Sequence, residues 1–463
     1  MNKDKLPPQQ AADTLRAAWD DMIASLQQAR DVIDQPQYAP PAASDRVLAE
    51  GYRYLSGFMH HAIERAFHED PARPAFRNAL SVYNKATIDN ADAIYFYAPI
   101  DGRKRYKVTA TLPDCRHWQG QPRTEQGALA PQYLIFEVTG GPIAGDTGDL
   151  RELMPGSRCG FGALDISQLQ IGDDNTLEIL LAPERPEGYT GNFFATRKPP
   201  SSRAPENGDR YATYISGRQL FYDWAREVPV PLTITALDDE GLPSTPLDSE
   251  HAAAKLRRIG EIVSGQMRFW QAFYDRVLNC HQRYDDDGRY YMPVNAYNQP
   301  NAASGATGGG MSTNIYAGGM FDLAEDEALY IEARYYGDPV YTGLHLGNLW
   351  GESPDYANHQ SSLNGFQMHD NGDGVQRWVV AHRDPGVPNW IDTTGLPQGY
   401  LSNRWAYSTL PPKAQWPTIQ ATKIAFDEIA AMFPEGTPHI TPEQRRHSIA
   451  VRQQHVQSRF RVF

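Results

Sequence analysis

The sequence is poor in cysteine and has no long apolar run. Its three cysteines stand at positions 115, 159 and 280, and this spacing fits neither a paired zinc motif nor a disulfide framework. No stretch approaches the roughly 20 apolar residues that a membrane-spanning helix needs. The first residues, MNKDKLPPQQ, lack the apolar core of a signal peptide. These absences predict a soluble, reduced, cytoplasmic protein.

The chain has no excess of basic residues. Lys and Arg together number 43, against 56 Asp and Glu, which gives a formal net charge of -13 at pH 7. Phosphate backbones and anionic lipid surfaces both require a basic face on the protein. We therefore expect neither nucleic acid nor a membrane as a partner, and expect a small-molecule substrate instead.

Several cofactor motifs are missing as well. The glycine-rich stretch at 301–321 has no GK[ST] ending to cradle a phosphate, and no G-x-G-x-x-G links a strand to a helix. No H-E-x-x-H pattern marks a zinc site. The prediction is therefore no cofactor and no bound metal. One alternative stays open, in which sandwich strands bring together a cupin-like ligand set of His345, His359, His369 and His382.

Apolar residues are plentiful enough for a large folded core. Hydrophobic residues make up 41% of the chain and aromatic residues 11%, as in globular proteins. The length of 463 residues exceeds what one core usually serves. Helical spacing appears at 13–33 and 44–67, alternation of β type at 90–238, and a long helical pattern at 247–280. A second β region ends near Tyr407, and helical patterns follow at 418–433 and 441–458.

These patterns predict a mainly β protein with flanking helices. The expected fold is a duplicated jelly-roll-like β-sandwich with a long connecting helix and helical termini. The predicted divisions are 1–85 for an N-terminal helical segment, 86–240 for the first β-sandwich, 247–284 for the connecting helix, 300–410 for the second β-sandwich and 411–463 for the C-terminal helices. Thr441, Pro442 and Gln444 predict a capping box at the last helix.

The duplication is inferred from residues that recur in the two β regions. The matched pairs are Ala93 with Ala328, Tyr106 with Tyr341, Ala182 with Ala381, Asn192 with Asn389, Phe193 with Trp390, and Arg218 with Arg404. Residues present in both copies are best explained by the needs of the fold, because Asn and Pro build turns and aromatic side chains anchor corners. We interpret them as structural.

Residues that the copies do not share are better candidates for function. The second copy carries the segment HRDPGVPNWID at 382–392 and the polar connection GNLWGESPDYANHQSSLNG at 347–365. The predicted catalytic residues are His382, Asp384, His359, Glu352 and Asp392. The predicted substrate-binding residues are Trp350, Asp355, Tyr356, Asn364, Arg383, Trp390 and Arg404.

General acid–base chemistry fits these residue types. A histidine that a carboxylate positions can transfer protons in either direction near neutral pH. The expected pairs are His382 with Asp384 or Asp392, and His359 with Glu352 or Asp355. The alternative is that the same residues only form surface ion pairs and turn caps. Arg404 either binds an anionic group or buttresses the corner, and the presence of Arg218 in the other copy favours the second role.

The combination of LGNLWGESPDYANHQSSLNG, VVAHRDPGVPNWIDTTG and NRW resembles a bacterial family known only as a domain of unknown function, number twelve-fourteen in that series. The resemblance covers roughly residues 310–410. The N-terminal β region more loosely resembles the domain that often precedes it. The resemblance implies paired jelly-roll-like β units. It implies no established reaction and therefore transfers no catalytic residue.

Three functions follow as hypotheses. The first is a soluble lyase, isomerase or hydrolase that works by acid–base catalysis on a small hydroxylated, ring-bearing molecule, which Trp350, Tyr356, Trp390 and Trp405 could stack against. The second is a carbohydrate- or partner-binding β-sandwich without turnover, which would need exposed, coplanar aromatic residues. The third is a structural homo-oligomer assembled through the helices.

Overall fold

A computed structural model describes residues 6–34, 44–86, 89–154, 157–200, 208–278, 292–302 and 313–460, with the backbone alone at 275–278. This part of the chain is mainly β, with five sheets and five helices, and helices flank the sheets on both sides in the sequence. No helix within it is both long enough and apolar enough to cross a membrane. The predicted mainly β class with flanking helices is confirmed.

The helices are α1 Pro8–Asp31, α2 Asp45–His68, α3 Ser249–Leu278, α4 Ile429–Met432 and α5 Pro442–Arg459. Helices α2 and α5 start with side-chain caps. The Ser44 hydroxyl accepts a hydrogen bond from the Val47 amide at the start of α2. The predicted capping box of α5 is confirmed, since Thr441 and Gln444 each accept a hydrogen bond from the other's backbone amide.

Two sheets of the N-terminal half face each other across one core. Sheet I has the strand order β1-β2-β10-β4-β5, and sheet II has the order β11-β3-β6-β7. These strands are β1 Arg77–Leu80, β2 Ala93–Pro99, β3 Tyr106–Thr111, β4 Tyr133–Gly140, β5 Cys159–Asp165, β6 Thr176–Ala182, β7 Asn192–Ala195, β10 Tyr214–Leu220 and β11 Thr233–Ala236. A separate two-stranded sheet pairs β8 Arg197–Lys198 with β9 Arg210–Tyr211. Phe96, Val108 and Phe136 meet in the core between sheets I and II.

The C-terminal half contains a second pair of sheets. Sheet III has the order β12-β18-β14-β15, and sheet IV has the order β17-β16-β13-β19. The strands are β12 Asn314–Asp322, β13 Glu327–Arg334, β14 Tyr341–Gly347, β15 Ser362–Asn364, β16 Gln376–Ala381, β17 Trp390–Asp392, β18 Gln398–Ala406 and β19 Thr418–Ala425. All residues of β14 are buried. One reason is that the outer face of sheet III packs on sheet I, where Tyr341 contacts the cluster containing Tyr133 and Leu220.

The strand order of the first sandwich recurs in the second. Strands β2, β3, β4, β5, β6, β7, β10 and β11 occupy the same relative places as β12 to β19, taken in order. The pairing of β6 with β7 is parallel, and so is that of β16 with β17. This is the arrangement that a duplicated sandwich would have. The duplication itself and the jelly-roll description stay predictions.

The first half of the sequence match is wrong by one strand. Tyr341 lies on β14, which holds the place of β4 rather than that of β3. Tyr133 pairs with Leu220, two residues after Arg218, and Tyr341 pairs with Ala406, two residues after Arg404. Tyr133, and not Tyr106, is therefore the counterpart of Tyr341. Strands β3 and β4 both begin with a tyrosine, Tyr106 and Tyr133, so the sequence alone allowed either of them to be matched with Tyr341.

The helical prediction at 418–433 is also wrong in its first part. Residues Thr418–Ala425 form β19, which pairs antiparallel with β13 at the edge of sheet IV. The rest of the predicted helix consists of a 3-10 turn at Phe426–Glu428 and the short helix α4. The end of the predicted connecting helix, 279–284, and most of the glycine-rich stretch, 303–312, lie outside the described residues.

The N-terminal helices form a layer with α3, which packs against both α1 and α2. Three apolar residues of α1 and α2, namely Trp19, Tyr52 and Ile63, are exposed and do not take part in this packing. The layer shares a core with the second sandwich through Trp350 and Tyr400. This shared core brings α2 against the polar connection between β14 and β15.

Candidate functional site

A cleft lies where α2 meets the connection at 348–357. Its volume is about 330 Å³, near the lower end for small-ligand sites. Helix α2 forms one wall, the turn after β1 forms another, and the connection forms the third. The lining residues are Arg46, Glu50, Arg53, Val82, Lys85, Asn348, Ser353, Pro354, Asp355, Tyr356 and Ala357. We call it the α2 cleft.

Helix α2 reaches the connection because a glycine permits a close approach. A Cβ atom on Gly51 would stand 2.5 Å from Cζ2 of Trp350, so a larger residue would push the helix away. The indole Nε1 of Trp350 donates a hydrogen bond of 2.8 Å to the Val47 carbonyl. Trp350 is 1% exposed. It therefore anchors the helix and does not offer a stacking surface to a substrate.

Glu352 is a buried acid beside the cleft. Its carboxylate accepts hydrogen bonds from Arg53 and, at 3.0 Å, from the Asn348 side-chain amide, and both donors line the cleft. Burial raises the pKa of Glu352 to about 7, while the positive charge of Arg53 acts in the opposite direction. A carboxyl group that titrates near neutral pH is suited both to give and to accept a proton.

Asn348 links the two ion pairs of the cleft wall, which are Arg46 with Glu50 and Arg53 with Glu352. Its amide nitrogen lies 3.1 Å from the Glu50 carboxylate as well as 3.0 Å from that of Glu352. Arg46 donates from Nε to Glu50 at 3.2 Å and from Nη1 to the Thr394 carbonyl at 2.7 Å. The two arginines and two glutamates are thus joined into one network, which fixes the position of the Glu352 carboxylate.

Lys85 supplies a second buried ionisable group. Its Nζ donates hydrogen bonds of 2.9 Å to the carbonyls of Ser353 and Pro354 and lies 4.6 Å from the centre of the Tyr356 ring. Burial lowers the pKa of Lys85, although the charges of Asp89 and Glu352 partly oppose this effect. Buried groups with perturbed pKa values in a cleft are frequent in active sites.

Some of the residues predicted in the connection lie at the α2 cleft, and His359 does not contact them as expected. Glu352, Asp355 and Tyr356 stand at or beside the cleft, as described above. Asp355 is exposed and accepts a hydrogen bond of 2.8 Å from the Asn358 side chain. Burial raises the pKa of the Tyr356 hydroxyl above its usual range. The expected contact of His359 with Glu352 or Asp355 through its ring does not form.

His359 instead pairs with Asp392. Its Nδ1 lies 2.8 Å from Oδ2 of Asp392, and the histidine side chain is 44% exposed. Both residues were predicted to be catalytic, but not as partners of each other. Among the described residues, no other predicted histidine contacts a predicted carboxylate through its ring. Thr394, two residues on, has a left-handed φ of 57°, which is strained for a β-branched residue. The pair stands near the cleft, since Arg46 bonds the Thr394 carbonyl.

The predicted pairing of His382 with Asp384 or Asp392 is wrong. The two ring nitrogens of His382 bond the Thr393 hydroxyl at 2.7 Å and the Leu323 carbonyl at 3.0 Å. Asp384 forms an ion pair of 2.9 Å with Arg445 of α5. In this structure these groups serve the corner between β16 and β17 and its contact with α5.

The other predicted binding residues hold the fold together. Trp390 is buried and bonds the Ala381 carbonyl through its indole nitrogen. Asn364 is buried and donates a hydrogen bond of 2.9 Å to Asp92. Arg383 lies 4.2 Å from the centre of the Phe426 ring. Arg404 lies 5.6 Å from the Tyr316 ring, much as Arg218 lies 5.7 Å from that of Tyr95. The matching geometry supports a structural role for Arg404.

The four histidines of the alternative metal set do not come together. His345 Nε2 bonds the Tyr341 hydroxyl at 3.1 Å, while His359 and His382 have the separate partners given above. In the described ranges, no three His, Cys, Asp or Glu side chains are grouped so that they could hold a metal ion. The histidines therefore belong to different surroundings, and burial lowers the pKa of His345 well below its usual value.

Sequence reasoning missed the basic half of the cleft. Arg46, Glu50 and Arg53 lie at i, i+4 and i+7 on one face of α2, a spacing that places them in a row. This polar row was visible beside the apolar positions of the helix. Nothing in the sequence, however, indicated that the row faces a segment about 300 residues away. Lys85 carried no local signal.

No family model matches the chain, and a search of curated proteins finds no match. Among solved structures, it is similar to an uncharacterized protein from Burkholderia cenocepacia, with 27% sequence identity, a TM-score of 0.70, and coverage of 90% of this chain and 99% of the other. The VPA0106 protein from Vibrio parahaemolyticus has 10% identity and a TM-score of 0.38 over 86% of this chain and 100% of its own. The chain thus shares its fold with an uncharacterized bacterial protein.

Proposed function

We propose that this chain is a soluble enzyme that performs general acid–base catalysis in the α2 cleft, with Glu352 as the group that transfers the proton. Its substrate is a small hydroxylated, ring-bearing molecule, and the reaction is of the lyase, isomerase or hydrolase type. The protein acts in the cytoplasm and belongs to the bacterial family of unknown function that its second β region resembles. The proposal rests on one observation, the Glu352 carboxyl buried beside a cleft of small-molecule size, where burial raises its pKa to about 7.

The chemistry of the neighbours suits this role. Proton transfer is most effective when the pKa of the group lies near the working pH. Asn348 holds the carboxylate in position, while Lys85 and Arg53 supply positive charge that can stabilise an anion developing on the substrate. Tyr356 lines the cleft as well, with 3% of its surface exposed.

The burial of the aromatic residues that the sequence suggested for stacking favours an enzyme over a binding module. A carbohydrate-binding face needs exposed, coplanar rings. Trp350, Trp390 and Trp405 are instead buried at 1%, 7% and 1% exposure. Of the four aromatic residues that the sequence suggested for stacking, Tyr356 alone lines the cleft.

The test is a substrate screen with wild-type protein and two variants. Hydroxylated ring compounds are offered near pH 7, and products are followed by mass spectrometry. We expect Glu352→Gln to lower turnover by about 100-fold or more while staying folded, with an unfolding temperature no lower than that of the wild type. The control is Glu443→Gln, which removes an exposed acid of α5. Wild-type turnover by the Glu352 variant would contradict the proposal, and saturable binding without product would favour the binding module.

A further inference from the structure

The positively charged side chains that line the α2 cleft have more N–H donors than hydrogen bonds to the described residues. A guanidinium group has five N–H donors and an ammonium group three. Within the described residues, Arg53 donates one hydrogen bond, to Glu352, and Lys85 donates to two carbonyls. Arg46 donates two, to Glu50 and Thr394. All three residues line the same cleft of about 330 Å³.

Arg53 stands between solvent and the buried acid. Its side chain is 45% exposed, whereas that of Glu352 is 1% exposed. Asn348 and its own surroundings hold Glu352 in place. The arginine is therefore the partner that can move, and the carboxylate is the partner that stays. Any ligand that attracts Arg53 also uncovers Glu352.

We propose that the substrate carries a carboxylate, and that this carboxylate draws Arg53 away from Glu352 as it binds. The inference rests on the proposed function, because it names the substrate class and the trigger of the same site. Arginine and carboxylate form two parallel hydrogen bonds, which a single contact with Glu352 does not match. The incoming group thus replaces one carboxylate by another at the guanidinium.

The exchange prepares the acid for catalysis. When Arg53 leaves, Glu352 loses the nearest charge that favours its ionised form and takes up a proton from solvent. It then stands protonated beside the bound substrate as a general acid. Substrate binding and protonation of Glu352 therefore occur together. In the free enzyme, Arg53 covers Glu352.

A singly charged carboxylate fits the cleft better than a phosphate. Besides the three positively charged side chains, the lining contains Glu50 and Asp355. A phosphate carries more than one negative charge at neutral pH and would meet stronger repulsion from these acids. The balance of charges therefore favours a small organic acid with hydroxyl groups, such as a sugar acid, as the substrate class.

Titration calorimetry with chosen probes tests the inference. D-glucuronate and acetate are the carboxylate probes, D-glucose is the neutral probe, and inorganic phosphate is the competing anion. We expect both carboxylates to bind the wild type near pH 7, with uptake of up to about half a proton per site for a group that is half ionised beforehand. The uptake is measured by repeating the titration in two buffers of different ionisation enthalpy. Glucose should not bind comparably.

The variants separate the two partners. Glu352→Gln should bind acetate and glucuronate more tightly than the wild type, because Arg53 is no longer held, and should show no proton uptake. Arg53→Gln should weaken binding at least 10-fold, and Arg53→Lys should restore part of it. The matched control is Arg16→Gln, which removes a surface arginine paired with Asp13 on α1. Thermal unfolding confirms that each variant is folded.

The inference is overturned if neither carboxylate binds the wild type or Glu352→Gln, if phosphate binds more tightly than both, or if proton uptake persists without Glu352. Its failure is distinguishable from that of the proposed function. Loss of carboxylate binding with Glu352-dependent turnover intact removes the inference alone. Unchanged turnover by Glu352→Gln removes the proposed function, whatever the calorimetry shows.

Discussion

At the scale of single residues, burial rather than residue type decides what each polar side chain does. Histidine and aspartate in the HRDPGVPNWID segment seemed equivalent candidates from the sequence. In the structure, His382 is bonded through both nitrogens to the protein, and Asp392 faces His359. Glu352, one acid among several in its connection, is the one that burial perturbs strongly. Such differences depend on neighbours from distant segments, so spacing alone did not separate them.

Glu352 should make stability depend on pH. Its pKa is about 7 in the folded protein, against about 4.3 for glutamate in an unfolded chain. Because the folded state holds this proton more tightly, the stabilisation that protonated Glu352 gives the folded protein is fully present below about pH 4. It is lost as the pH rises through about 7. The difference corresponds to about 4 kcal/mol.

We expect Glu352→Gln to gain stability relative to the wild type between pH 5 and pH 8, measured as the difference in unfolding temperature at each pH. Glu227, whose pKa burial also raises to about 7, is present in both proteins and cancels from the comparison. A difference that stays constant over this range would contradict the assignment of the perturbed group to Glu352.

Asn192 and Asn389 offer a matched test of structural interpretation. Asn389 bonds the backbone of His369 twice and the Arg377 carbonyl once, at 2.7 to 2.8 Å. Asn192 makes the same three contacts to Gln170 and Glu178, all at 2.8 Å. This repetition supports the reading of the shared asparagine as a structural residue.

Replacing either asparagine with alanine should lower the free energy of unfolding by about 2 kcal/mol, because buried backbone groups lose their partners. The two variants should behave alike in thermal unfolding and leave ligand binding in the α2 cleft unchanged. Asn358→Ala, at an exposed position, is the control. A stable Asn389→Ala protein that fails to bind ligand would argue for a functional role.

At the scale of elements, the sequence predicted best those segments whose character is local. The periodicity of α1, α2 and α3 and the capping box of α5 were readable because helices bond within themselves. The segment TIQATKIA lies at the start of the helix predicted at 418–433. It is a strand because β13 pairs with it from about 90 residues earlier in the chain. The residues next to this segment in the sequence do not indicate that β13 is its partner.

Helix α5 connects both sandwiches through buried arginines. Arg459 is fully buried, donates to the Ala91 carbonyl and lies 4.1 Å from the centre of the Trp224 ring. Arg452 donates to the carbonyls of Tyr356 and Ser362. Burial lowers the pKa of both arginines to about 10. The helix therefore links the first sandwich to the wall of the cleft.

Arg459→Ala should lower the free energy of unfolding by about 3 kcal/mol, because it leaves buried acceptors unpaired and opens space beside Trp224. Arg446→Ala, on the same helix but exposed and paired with Glu443, should change it by less than about 0.5 kcal/mol. Chemical denaturation of the two variants side by side measures the contrast. Equal effects would mean that α5 contributes little to the junction.

At the scale of the whole molecule, the two sandwiches are joined by a buried polar contact. Asp92 of the first half accepts hydrogen bonds from Tyr341 at 2.5 Å and from Asn364 at 2.9 Å, both in the second half. Burial raises the pKa of Asp92. Separating the halves would expose sheets I and III and leave these partners without one another. The length indicated more than one core, but no pattern in the sequence indicated this junction.

We therefore expect the halves to unfold together. Differential scanning calorimetry of the full chain should show one transition, and Tyr341→Phe should lower its temperature without splitting it, since other contacts between the sheets remain. Two well-separated transitions in the wild type would contradict the cooperative junction.

The distance along the chain between the walls of the α2 cleft has a consequence for its synthesis. Arg53 and Glu352 are 299 residues apart, so the ribosome has made more than two thirds of the protein before both exist. The first sandwich can fold while it emerges, as domains generally do, but α2 must wait with its polar row uncovered. Nascent chains and fragments that stop before the connection should consequently have no cleft at all, however well their first sandwich is formed.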